Sequence, residues 1–149
     1  KIFDRFCLSL NTLLPEFEKA GLALCLENLP SIEAFPDEGE MAMLKRRFDT
    51  PALAYWHDMG HGQVRANLGL IRHVDAARAL LPFTRGIHIH DALPPTHDHL
   101  PPGQGAIDFA DFNFYAADAV LKVFEPSPQV KAAELTKSLG FVRRVWTQG

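Results

Sequence analysis

Four residues in this sequence combine reactive side chains with a shared interval. Glu27, Asp58, His88 and Glu125 each close a short apolar run, and successive members stand about one strand–helix unit apart. Taken singly, an acid at the end of a strand is most simply a helix cap or a surface residue. Taken together, three carboxylates and one imidazole in one register need a common partner. Like charges brought to one point without compensation are costly, so a divalent cation is the natural counterpart. One imidazole with three carboxylates suits manganese, magnesium or cobalt, with zinc a further candidate.

More imidazoles surround these four. Gly86-Ile87-His88-Ile89-His90-Asp91 has the alternation of a buried strand, with the isoleucines on one face and the histidines on the other. His97-Asp98-His99 and Gly103-Gln104-Gly105 follow in what reads as a turn-rich loop. His57-Asp58-Met59-Gly60-His61 ends another strand. By parity Trp56 shares the Asp58 face, where walling the pocket and plain barrel packing explain it equally well, while His57 points to the helix side as a structural residue. His73 falls within a helical pattern and is expected to be exposed.

The elements that must position these residues alternate. Phe6, Leu10, Leu13, Leu14 and Phe17 recur at helical spacing; Pro15 predicts a kink or split, and Gly21 a left-handed cap. Leu22 to Leu26 reads as a strand, leucines on one face and Ala23, Cys25 and Glu27 on the other, as the inside of a closed parallel barrel requires. Asp37 to Phe48 is a predicted helix whose Lys45, Arg46 and Arg47 form a solvated side. Ala52 to Trp56 is a second strand, and Val64, Leu68, Ile71, Val74 and Ala77 trace one helix running to Leu81-Pro82. After the His88 strand and its loop, Phe109 to Ala117 suggests a short helical turn. Leu121 to Glu125 is the fourth strand, and Ser127 with Pro128 should cap and start a last helix. Strands alternating with helices imply a parallel sheet with right-handed crossovers. In a (β/α)8 barrel the C-terminal strand ends converge on one mouth, where active sites lie.

Bulk properties narrow the function classes. The 149 residues suit one domain, 1–149, and 47% are hydrophobic, enough for a core. A net charge of −3 gives no electrostatic case for nucleic acid or an anionic membrane surface. Cys7 and Cys25 lack metal-type spacing and read as thiols of a reducing cytoplasm, with a disulfide between them as the alternative, and no signal peptide or membrane span is visible.

The motifs Leu26-Glu27-Asn28-Leu29-Pro30, Asp58-Met59-Gly60-His61, His88-Ile89-His90-Asp91, His99-Leu100-Pro101-Pro102-Gly103-Gln104-Gly105-Ala106-Ile107-Asp108-Phe109 and Phe124-Glu125-Pro126 resemble those of the xylose isomerase-like TIM-barrel superfamily. That group holds sugar phosphate isomerases and epimerases, ketohexose epimerases, inosose dehydratases and endonuclease IV. The resemblance implies a TIM (β/α)8 barrel of which this chain, with four parallel strand–helix units, covers about the C-terminal half. The first half is then expected to be missing from this chain, or supplied by a second copy in a homodimer.

The resemblance also implies roles. Glu27, Asp58, His88 and Glu125 match the shared metal ligands; His88 rather than His90 matches because the ligand stands three residues before the acid, here Asp91. Glu27 and Glu125 would also exchange a proton with an open-chain sugar through an enediolate. His61, His90 and His99 would orient substrate, with a hydrogen-bonded supporting role for His90 equally open. His61, His97 and His99 fall where the nuclease branch holds additional metal, and His97 departs from the acidic residue found there. No arginine in this loop matches the substrate-binding arginine of the ketohexose epimerases. Three functions follow: a metal-dependent sugar isomerase or epimerase, an endonuclease IV-like phosphodiesterase on abasic DNA, and a non-catalytic half-barrel.

Overall fold

The computed structural model describes residues 1–117 and 119–147. Helix α1 (Ile2–Ala20) leads into strand β1 (Leu24–Glu27), and α2 (Glu38–Arg47) into β2 (Leu53–Asp58). Helices α3 (Met59–Asn67) and α4 (His73–Leu80) return the chain to β3 (Thr84–Ile89). A hairpin of β4 (Asp91–Leu93) and β5 (His97–Leu100) and a 3-10 segment (Phe109–Ala116) precede β6 (Leu121–Phe124) and α5 (Ala132–Thr147). The four long-range strands form one parallel sheet in the order β1-β2-β3-β6. Because sheet order follows chain order, each crossover advances one strand, and all C-terminal ends lie along one rim.

Alternation along the strands sorts the two faces. Leu24, Leu26 and Leu53 pack outward with Cys7, Leu10, Leu14 and Leu44 of α1 and α2. Ile87 and Ile89 pack outward with Met59, Phe109, Phe112, Tyr115, Val142 and Trp146. Each such fully buried large side chain contributes about 1.5–3 kcal/mol relative to exposure. Trp146 also fixes α5 in place, its indole N–H donating to the Phe109 carbonyl at 2.7 Å. The opposite, inner face carries Cys25 and Glu27 from β1, Trp56 and Asp58 from β2, and Gly86 and His88 from β3.

Several sequence expectations are corrected. Pro15 lies inside one helix that is not split, and Leu10 and Leu14, in the turns before it, are buried in the core; Leu13, expected inward, is exposed. Gly21 caps that helix at φ 67°, as its residue type predicts. Asp37 opens α2 through a capping box with Glu40. On that helix Lys45 is buried rather than solvated, with its ammonium donating to the Thr50 and Leu53 carbonyls at 2.8 and 2.7 Å. The single helix expected from Val64 to Pro82 is two, α3 and α4, divided where Gly69 takes φ 73°. The turn-rich loop after His90 is an antiparallel hairpin, with Asp91 opposite Leu100 and Leu93 opposite His97. Ser127 and Pro128 make a turn, with the Val130 N–H donating to the Ser127 carbonyl, and α5 begins only at Ala132. Cys7 and Cys25 are free thiols.

Candidate functional site

The rim gathers Glu27, Asp58, His88 and Glu125, whose ligand-type atoms all lie within 4.8 Å of one another. Register explains the convergence: Asp58 and His88 are direct partners across β2 and β3, Glu27 ends β1, and Glu125 follows β6. The His88 Nδ1 atom lies 3.0 Å from a Glu27 oxygen, 2.9 Å from a Glu125 oxygen and 3.5 Å from an Asp58 oxygen. One ring nitrogen carries at most one proton, so it can satisfy only one of these acceptors well. Glu27 and Glu125 share that single proton and have no other side-chain donor among the described residues, whereas Asp58 is also held by His90 and the His61 N–H. Separations near 3 Å are also the ligand–ligand edges expected around an ion with bonds of about 2.1 Å. The donor set therefore fits a divalent cation.

Exposure divides the set. The Asp58 side chain is 0% exposed, His88 19%, Glu27 33% and Glu125 45%. Burial works to raise the Asp58 pKa, but hydrogen bonds from His88 and His90 outweigh it and hold the carboxyl well below the usual range. Asp58 also caps α3, accepting the His61 N–H at 2.7 Å, so the helix N-terminus supports its charge. The bland reading of a strand-end acid as a helix cap and the chemical reading thus hold together. The Asp58 hydrogen bond pushes the His88 imidazole up to about 9, against burial and with the help of Glu27 and Glu125.

A second imidazole group stands beside the first: His61, His90 and His99 also have ring nitrogens within 4.8 Å of one another. His61 donates from Nδ1 to the Asn28 carbonyl at 3.0 Å, and Asn28 itself brackets Asp58, exchanging hydrogen bonds with its backbone at 2.9 and 2.8 Å. His90 is fully buried. His99 stacks on it with ring centroids 4.1 Å apart. His97, expected beside His99 as an additional ligand, is exposed and outside the group. The reason is local: His99 adopts φ 55°, which breaks the alternation that would have put both rings on one side. Asp98 takes the nearer place, 3.0 Å from His99 and 3.9 Å from His61.

Trp56 lies on the inner face as parity requires, its ring 5.1 Å from His88 and filling the space over Gly86. On the outer face His57 is buried as expected. It accepts from the Tyr115 hydroxyl at Nδ1 (2.8 Å) and lies 3.1 Å from His73. His73 is therefore buried, not exposed: α3 passes close at Gly62, leaving a slot that a methyl group would fill.

Two residues were not legible as site residues. Asn28 follows Glu27 directly but its partner is a backbone thirty residues on. Asp91 is fully buried and receives the N–H groups of Gly103, Gly105 and Ile107 at 2.9, 2.9 and 3.0 Å, tying the loop after the hairpin to the start of β4. The glycines offered the one clue: a Cβ at Gly105 would strike the Asp91 carboxylate.

The comparisons with known proteins agree with this geometry. A comparison with curated protein sequences finds no significant match. Among solved structures, a D-tagatose 3-epimerase-like protein superposes with a TM-score of 0.78 at 19% identity, over 99% of this chain and 55% of that one. The 3-keto-D-glucoside 4-epimerase YcjR of E. coli gives a TM-score of 0.68 at 19% identity, over 91% of this chain and 51% of its own. A D-psicose 3-epimerase crystallised in the presence of D-fructose gives 0.71 at 15% identity, over 97% and 56%. The chain thus spans about half the length of the structures it resembles. A family profile described as a xylose isomerase-like TIM barrel matches residues 1–119, and the chain belongs to that family.

Proposed function

We propose that the chain forms the metal-bearing part of a sugar or sugar phosphate isomerase or epimerase. One observation carries this: three carboxylates and an imidazole from four successive strand ends meet at one point, two of the carboxylates still open to solvent. Glu27, Asp58, His88 and Glu125 would hold a divalent ion, of manganese, magnesium or cobalt type or zinc. Such an ion, when bound, offsets the carboxylate charge and makes a neighbouring sugar carbonyl a better electron sink.

The protein's own residues do the rest. Asp58, buried and braced, stays ionised and fixed. Glu27 and Glu125 stand on the first and fourth strands and close on His88 from two sides, so each can reach a different face of a sugar carbon. One removes the proton next to the carbonyl and the other returns it, giving an enediolate between the two steps. His61 and His99, both partly exposed, would orient hydroxyl groups, and Trp56 would wall the site on the β2 side. That the structural neighbours are sugar epimerases or epimerase-like proteins supports this substrate class.

In this reading residues 1–149 are one domain, the C-terminal half of a barrel, and further strand–helix units close it, from the same protein or from a second copy. Leu121 and Val123, 63% and 42% exposed, share the β6 register positions of the inner-facing Gly86 and His88 and would be covered by that closure. Among the described residues no helix is long and apolar enough to cross a membrane; a cytoplasmic site is part of the proposal. A panel of ketoses and aldoses incubated with the metal-supplemented full chain in D2O tests the reaction. Deuterium at the carbon beside the carbonyl of at least one sugar is expected; no exchange in any, alongside cleavage of abasic DNA, overturns it in favour of the phosphodiesterase.

A further inference from the structure

His90 lies outside the four proposed ligands, yet every polar atom of its ring is engaged. Its Nε2 lies 2.8 and 3.0 Å from the two Asp58 carboxylate oxygens. Its Nδ1 lies 2.9 Å from the backbone nitrogen of His99. A backbone N–H can only donate, so Nδ1 must offer its lone pair and the ring proton must sit on Nε2, directed at Asp58. This tautomer leaves His90 no lone pair for a metal, although it belongs to the second imidazole group. Its slot is shaped for the ring: a Cβ at Gly60 would come within 1.9 Å of it.

The far end of this chain of bonds is the hairpin. His99, whose N–H meets His90, also uses its carbonyl to accept the Ser127 N–H at 2.8 Å, two residues beyond Glu125. Two of the four strand ends, those of Asp58 and Glu125, are therefore tied to a single hairpin residue, the first of them through His90. We infer that His90 is a positioning residue: its Nε2–H fixes the Asp58 carboxylate while its Nδ1 holds the β4–β5 hairpin against the mouth. The inference rests on the metal reading above. Partners of a ligand that set its orientation typically change metal affinity by about 10- to 100-fold when lost.

Two substitutions separate the halves of this role. His90→Asn keeps an acceptor near Nδ1 and removes the donor to Asp58; His90→Gln keeps a donor near Nε2 and removes the acceptor for His99. Cobalt titration of the full chain, followed by visible absorption, and hydrogen exchange of the His99 amide without metal form the two readouts. The Asn variant should bind cobalt about 10- to 100-fold more weakly, with an altered spectrum and a protected His99 amide. The Gln variant should hold cobalt within about threefold of wild type while its His99 amide exchanges about tenfold faster. A general packing defect would move both readouts together in both variants, and that result overturns the proposal, as does wild-type behaviour of both. Wild-type protein that takes up no cobalt overturns the metal reading instead; the positioning role then falls only if the His99 amide of the Gln variant exchanges at the wild-type rate.

Discussion

The two faces of β2 and β3 hold imidazoles in opposite states. On the inner face His88 sits among the Asp58, Glu27 and Glu125 carboxylates, and the hydrogen bond to Asp58 pushes it up to about 9. On the outer face His57, one residue from Asp58 in sequence, is lowered to about 4 by burial among apolar and aromatic side chains, with Asp58 opposing and His61 adding to the fall. His73 beside it is lowered too, by burial and then by His57. The side-chain period of two does this sorting. One face accumulates charge that needs a counter-ion, while the other stores neutral, fully hydrogen-bonded rings that hold the helices in place. Residue type alone would not have told them apart.

The largest expected effect separates the faces by activity. Glu27→Gln or Glu125→Gln should each slow sugar proton exchange by about 10²–10⁴-fold, measured by deuterium incorporation, with little loss of folding stability. Exchange at the wild-type rate in both variants would remove the two-base mechanism.

Next in size is the pH dependence of stability. His57 has a folded value of about 4 against 6.5 for the free side chain. The unfolded chain therefore binds the proton more readily. This contribution is complete above pH 6.5 and is lost as pH falls towards about 4, amounting to about 3 kcal/mol at the limit. His73 acts in the same direction. In metal-free protein His88 has the opposite sign: its contribution is present below 6.5 and is lost as pH rises through about 9. Denaturant titrations of the full chain across this range should show both limbs. His57→Gln should flatten only the acid limb and His88→Gln only the alkaline one; a single limb altered by both would mean the faces are not independent.

A smaller effect concerns the outer face alone. His57→Phe leaves the Tyr115 hydroxyl and a His73 nitrogen without their partner and should cost about 1–3 kcal/mol in stability, read from the denaturation midpoint. Metal affinity should stay within about twofold, because the substitution leaves the inner-face hydrogen bonds in place.

Much of the inner face could be read from the chain because its signals are local and repeated. Glu27, Asp58, His88 and Glu125 each end an apolar run, and Ile87 and Ile89 alternate with the histidines over a few residues. What escaped depends on distant or backbone partners. His73 is buried because His57, sixteen residues back in another element, receives it. Lys45 is buried because two main-chain carbonyls, which leave no mark in side-chain pattern, accept its protons. The hairpin is not legible because its turn, Pro94-Pro95-Thr96, reads as loop, and the positive φ of His99 within β5, which sets His97 apart from the group, carries no sequence signal. Asn28 and Asp91 bind backbone groups far along the chain, so their roles emerge only once the strands are side by side.

Metal stoichiometry tests the central claim most directly. The full chain, stripped of metal and titrated with manganese, should take up one divalent ion per chain, and Asp58→Asn should abolish that uptake while the protein stays folded. A cluster of two or three zinc ions retained through purification, or manganese uptake unchanged in Asp58→Asn, would contradict it.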